Sequence, residues 1–134
     1  MDALKRYGPV VGRILLALIF VSSGFAKITG FAGTVGYIAS KGLPLPQLAA
    51  IGAIVVELGG GTLLILGGKA RWVAAALFVF AGLTALIFHN FWAVPADQVQ
   101  NQTIHFMKNL SMMGGLLYVV VYGSGPLSLC RDDA

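Results

Sequence analysis

Four apolar runs, at about residues 9–28, 48–66, 72–89 and 103–122, alternate with short stretches rich in glycine, proline and charge. Each run has about the length that an α-helix needs to cross a hydrocarbon core. Within the runs the small and polar residues recur at helical spacing rather than at random. Arg13, Ala17, Phe20, Gly24 and Lys27 share one face of the first helix, while Leu15, Leu18 and Ile19 face elsewhere. Ala50, Ala53, Glu57, Gly60 or Gly61, and Leu64 form the corresponding stripe of the second, and Ala75, Phe78, Gly82, Ala85 and His89 that of the third. Small residues let helix backbones approach closely in a membrane, so these stripes are the expected contact faces.

The intervening stretches read as connections. Residues 29–47 carry Gly30, Gly33, Gly36, Gly42, Pro44 and Pro46, which resist a continuous span. Phe31, Val35 and Ile38 still fall at helical spacing there, predicting a short interfacial helix held by Tyr37. Gly67, Gly68, Lys69, Ala70 and Arg71 make a turn, with Trp72 placed as an interface aromatic. Residues 90–102 form a polar connection, and 124–134 a short, loosely structured tail. The expected fold is all-α: a transmembrane four-helix bundle forming one domain over 1–134, with a short interfacial segment between helices one and two.

Composition agrees with the pattern. The 134 residues are 57% hydrophobic and only 10% charged, against roughly a quarter charged in soluble domains. The net charge of +4 comes from scattered lysines and arginines with no basic, aromatic-interleaved stripe, which argues against a nucleic-acid partner. The lipid bilayer is the expected partner instead. Lys5, Arg6, Lys69, Arg71 and Arg131 fall on one side of a four-span bundle, and Lys27, Lys41 and Lys108 nearer the other. By the positive-inside rule both termini are then cytoplasmic. Cys130 is the sole cysteine, so neither an intramolecular disulfide nor a Cys-x-x-Cys redox pair can form. The first apolar run exceeds a typical signal-peptide core and is read as a retained helix.

Glu57 is the acid that this pattern has to explain, because no other lies inside an apolar run. A charge at bilayer depth costs about 2.5–3.5 kcal/mol on insertion scales, so such a carboxylate is turned inward, paired, protonated or watered. A rise of about 1.5 Å per residue places Glu57 near the midplane. Lys108 and Arg13 then lie about equally far in from opposite ends. Side chains tilt toward the N-terminus of their own helix. Glu57 therefore leans toward the outer side, Lys27 and His89 lean back into the membrane, and Arg13 leans toward the cytoplasmic interface. The expected constellation is Glu57, Lys27, His89, His105, Lys108 and Asn109 in the outer half, with Arg13 as a peripheral member. Ser23 and Ser111 are candidate hydrogen-bonding additions.

Simpler roles exist for each group. Glu57 could pair with Lys27 or Lys108 only to fix the register of the bundle, the lysines could snorkel, and Asn109 could bridge helices. Met107, Met112 and Met113 fit packing. The spacing of His89, His105 and Glu57 offers no metal-ligand motif, and no glycine-rich loop follows a strand, so neither a metal nor a nucleotide is expected.

The run Gly12-Arg13-Ile14-Leu15-Leu16-Ala17-Leu18-Ile19-Phe20, then Ser23-Gly24-Phe25-Ala26-Lys27 with Gly30-Phe31, resembles the DoxX family of small four-helix membrane proteins. So do Pro44 ahead of the second helix, Glu57-Leu58-Gly59-Gly60 closing on Gly67, and Phe106-Met107-Lys108-Asn109-Leu110 with Gly114-Gly115. The resemblance implies a bacterial inner-membrane location and a link to quinone-dependent sulfur oxidation or other membrane oxidoreductase complexes. It also implies a shared set of positions at Arg13, Lys27, Glu57, Lys108 and Asn109, whereas His89 and His105 are less clearly family features.

Residues and resemblance together lead to an expected membrane subunit of a quinone-linked or detoxifying oxidoreductase system. Its outer-half pocket would bind a small lipophilic carbonyl compound such as a quinone. Lys27, Lys108 or Asn109 would donate to the carbonyl, and Glu57 would be the catalytic proton acceptor or relay. The chain shows no flavin, haem or thiol motif and no covalently bound cofactor is expected, so electrons would come from partner subunits. A homo-oligomer is compatible with this. The competing expectations are a non-catalytic assembly protein, and a pathway for protons or small solutes.

Overall fold

The computed structural model describes residues 1–130. Its helices are α1 (Asp2–Thr29), the short α2 (Phe31–Ser40), α3 (Pro46–Leu66), α4 (Ala70–Phe88) and α5 (Ala96–Tyr122). Of these, α1, α3, α4 and α5 are long and apolar enough to cross a membrane, and the described residues contain no strand. The fold is the expected all-α four-helix transmembrane bundle. Its spans alternate in direction, so one end of the bundle, the terminus end, carries the start of α1 and the end of α5, and the other, the far end, carries α2.

Sequence chemistry accounts for most boundaries. Gly30 separates α1 from α2, and Gly42 turns the chain with φ 74°. Pro46 then opens α3 at a position where its missing N–H costs nothing. At the other end of α3, Gly67 takes the left-handed φ of 72° while its N–H bonds to Leu64 O and that of Gly68 to Leu63 O. Those two bonds pair carbonyls that a helix end would otherwise leave open.

Three boundaries differ from expectation. Helix α1 starts at Asp2 rather than near Pro9, because Gly8 tolerates the restricted conformation ahead of a proline and only one early backbone bond is lost. Helix α5 starts at Ala96, just after Pro95, so much of the stretch read as a connection is helical and only a 3₁₀ turn at Phe91–Ala93 links it to α4. The tail is also better held than a loose segment. Leu129 N–H donates to Leu66 O (2.8 Å), Cys130 N–H to Gly67 O (3.4 Å), and Ser124 is buried. The open carbonyls of α3 thus recruit the tail. Arg131 lies outside the described residues.

The expected stripes hold for α1, where Arg13, Ala17, Phe20 and Gly24 are buried, and for α3, where Ala50, Glu57, Gly61 and Leu64 are. For α4 the buried residues Ala74, Leu77 and Ala81 lie one position earlier than predicted, while Ala85 is buried as expected. Gly82 instead marks the flank on which Met113 of α5 packs. Helix α1 packs mainly on α3 and α4 mainly on α5, while α1 and α5 meet over a much smaller area. Ala17, Phe20, Leu64, Ala74, Leu77 and Leu116 form a continuous core, and all lie in the half nearer the termini.

The α1–α3 seam depends on Gly24, where an added Cβ would sit 3.0 Å from both the N and the Cβ of Leu58. Gly24→Leu should therefore lower stability in detergent by roughly 1–3 kcal/mol, the usual penalty of overpacking. Gly12→Ala, inside α1 with nothing within 4 Å of the new methyl, should leave the thermal midpoint unchanged or raise it, since alanine favours a helix interior over glycine by about 0.5–1 kcal/mol.

Candidate functional site

Glu57 sits in a π-helical turn, Val55–Gly59, inserted between the two α-helical halves of α3. One residue more per turn widens the helix and shifts the phase of the residues after it, a feature that often marks functional sites. Glycines at 59, 60 and 61 ease the distortion. The turn presents the carboxylate to α1, and Glu57 is only 5% exposed.

Its partner is Lys27, whose Nζ lies 3.1 Å from Oε1 and 2.9 Å from Oε2. The choice of Lys27 over Lys108 is set by the seam. Gly24 meets the backbone of Leu58, and Lys27 stands about one turn further along α1, directly over the π-turn. The Lys27 side chain keeps 28% exposure, so the pair is enclosed on the carboxylate side and open on the ammonium side.

Beyond the pair lies a cavity of about 570 Å³. The structure brings Lys27, Glu57, His89, His105, Lys108 and Asn109 together on its walls, with Ser23 beside them. Arg13 is not part of it. It is buried at the opposite end, where Nη2 donates to Leu127 O (2.6 Å), consistent with its direction along α1. Ser111 is also outside, exposed and donating to Met107 O of its own helix.

The polar groups differ in how far they are already engaged. Asn109 spends both hydrogens of its amide nitrogen on α4, at Ala81 O and Thr84 Oγ1 (both 2.9 Å), which leaves its carbonyl oxygen as the group it can offer. His89 Nδ1 lies 3.0 Å from Gln102 Oε1, and its ring stacks on His105 with centroids 5.0 Å apart. Lys108 is exposed on the cavity rim and has no hydrogen-bond or ion-pair partner among the described residues. Among the described residues no three His, Cys, Asp or Glu side chains gather in a group able to hold a metal.

The far end is closed by α2. Tyr37 donates to Phe88 O (3.0 Å) and stacks obliquely on the Phe88 ring, while Lys41 Nζ donates to Asn90 Oδ1 (3.1 Å). Partial burial pushes the Tyr37 phenol above its ordinary value, keeping the donor protonated. Tyr37, Gln102 and Thr84 join the site without a sequence signal that singled them out for it. Thr84 could have been found, since it is the sole hydroxyl in the apolar run 72–88.

Comparison with known proteins places these features in a lineage. The DoxX family profile matches residues 8–90. The chain is 44% identical over 123 residues to the inner membrane protein YphA of Escherichia coli (strain K12), covering 91% of this chain and 87% of that one. It is 36% identical over 131 residues to the inner membrane protein YqjF of the same organism, covering 98% and 95%. A more distant similarity, 26% over 127 residues, is to the Surfeit locus protein 4 homolog of Schizosaccharomyces pombe, of which this chain spans 37%. No solved structure shows a significant match.

Removing one member of the ion pair strands the other. Lys27→Met should destabilise the protein by less than the about 3–5 kcal/mol of a fully buried pair, because Lys27 is partly exposed. The double variant Lys27→Met/Glu57→Gln should regain much of that loss, as read by thermal unfolding in detergent.

Proposed function

This chain belongs to the DoxX family of integral inner-membrane proteins, and on that premise we propose that it is the ligand-binding membrane subunit of a quinone-linked or detoxifying oxidoreductase system. The observation that carries this is a cavity of about 570 Å³ set among four spans, apolar on most of its wall and ionic at one side. That volume falls within the roughly 300–1,000 Å³ typical of small-molecule sites, and a few convergent polar groups on an apolar wall are the usual composition of such sites.

A small lipophilic carbonyl compound such as a quinone fits that chemistry. Lys108 donates to one carbonyl oxygen, since Lys27 is held by Glu57 and the amide hydrogens of Asn109 by α4. Glu57 accepts or relays a proton, exchanging it through the partly exposed Lys27. The electrons come from a partner subunit, and this chain's part is to bind, orient and move protons. A scaffold reading is favoured by one fact, that the Lys27–Glu57 pair is complete without any ligand and by itself ties α1 to α3.

Titration of the purified protein with a quinone separates the two. Saturable binding should weaken about 10-fold in Lys108→Ala, about 1.4 kcal/mol, and further in Glu57→Gln. Unchanged binding in both variants removes the proposed site, and no binding to wild type favours the scaffold. We also propose cytoplasmic termini, from Lys5, Arg6, Lys69 and Arg71 at the terminus end. Alkaline phosphatase should be inactive when fused after Cys130 and active when fused at Lys41.

A further inference from the structure

Two stripes face each other across the thin seam between α1 and α5. On α1 the stripe is Leu16, Ile19, Ser23 and Ala26, and on α5 it is Gly115, Met112, Lys108 and His105, each spaced by three and four residues. At the terminus end they touch, since a Cβ on Gly115 would lie 3.3 Å from Leu16 Cδ1. From there toward the far end, the other three residues of each stripe line the cavity. Ile19, Ala26 and Lys108 are at the same time exposed. Wall residues this exposed mark a cavity that opens to the surroundings rather than a sealed void. Helices α1 and α5 meet over only a small area, so the cavity opens most readily in the gap between them.

Tyr37 and Lys41 tie α2 to Phe88 and Asn90 across the far end, and Ile38 is buried beneath. Polarity along the gap is graded, with Ile19, Ala26 and Met112 apolar at the flank, Lys108 an amine at the rim, and Glu57 with Lys27 at depth.

We infer that the α1–α5 gap is a lateral portal through which the ligand enters from the bilayer, and that the ligand is an amphiphile whose carbonyl head lies inside while its alkyl or isoprenoid chain runs out along Ile19, Ala26 and Met112. This rests on the ligand-binding proposal above. A compact water-soluble solute has no use for an apolar flank opening, whereas a chain that remains in lipid leaves only the head to be desolvated. Lys108 at the rim then meets the head on its way in.

Site-directed spin labelling tests this. With Cys130→Ser as background, nitroxides are placed at Ser23→Cys and Ala26→Cys, with Leu15→Cys as the lipid-facing reference. In liposomes both test positions should be as accessible to oxygen as Leu15→Cys and poorly accessible to a water-soluble nickel chelate. A benzoquinone bearing a decyl chain should lower oxygen accessibility at both sites about threefold or more, in line with a site that covers most of its ligand, while the same ring without a chain should not. Dominant nickel accessibility would mean a water-filled mouth, and low accessibility to both probes a flank covered by protein, such as a second copy. Either overturns the portal. If titration shows the decyl quinone bound but the labels do not respond, the portal fails while the binding site stands. If neither quinone binds wild type, the earlier proposal fails and this one with it.

Discussion

The structure depends on a carboxylate that has to be carried inside an apolar span. Glu57 is almost fully covered, and the cost of a charge at that depth is met by one ammonium group held about 3 Å from both oxygens. Everything needed for that contact is local to two helices. The π-turn swings the carboxylate toward α1, Gly24 removes the side chain that would hold α1 away, and Lys27 comes one turn later on the same face. Electrostatics sets the demand here and backbone proximity satisfies it, since an ammonium on a long flexible stem reaches a buried acid only when the helices are nearly touching.

That seam also explains why the molecule is solid at one end and hollow at the other. Near the termini, alanines and leucines from all four spans close on one another, and the C-terminal segment seals the end by donating to carbonyls that α3 leaves open. Toward the far end the polar residues face a space instead of a core. Two of those residues, Asn109 through its amide nitrogen and His89 through Nδ1, are held by Thr84, Ala81 and Gln102, which lowers the penalty of enclosing them. Lys108 is the group left facing the opening, which makes it the natural first contact for a ligand.

Much of this is legible in the sequence because membrane helices obey strong rules. Apolar runs of spanning length, glycine and proline between them, and small residues at helical spacing locate the four spans and the correct inner faces of α1 and α3. The direction of each Cα–Cβ bond sets Arg13 apart as the least central member of the expected constellation, because alternating spans tilt their side chains in opposite senses, and the structure then places it outside the cavity. The inner face of α4 is displaced by one position from the expected one over Ala74, Leu77 and Ala81, and coincides with it at Ala85. In a run made almost wholly of small and apolar residues, Ala74 and Ala75 or Ala81 and Gly82 are interchangeable to any periodicity argument, and only contact with the neighbouring helices distinguishes them.

Sequence by itself therefore determined the fold class, the spans, the family and the set of polar residues brought to one half of the bundle, all of which stem from the bilayer's demand that polarity be hidden and backbone be paired. Tertiary structure alone decided that Glu57 takes Lys27 rather than Lys108, that the amide hydrogens of Asn109 are spent on α4, and that the tail is held. The physical reason is the same in each case. These outcomes turn on interhelical distances of a few ångströms, set by a π-turn and by close contacts at single glycines, and a helical repeat read along one chain carries no information about the distance to the next helix.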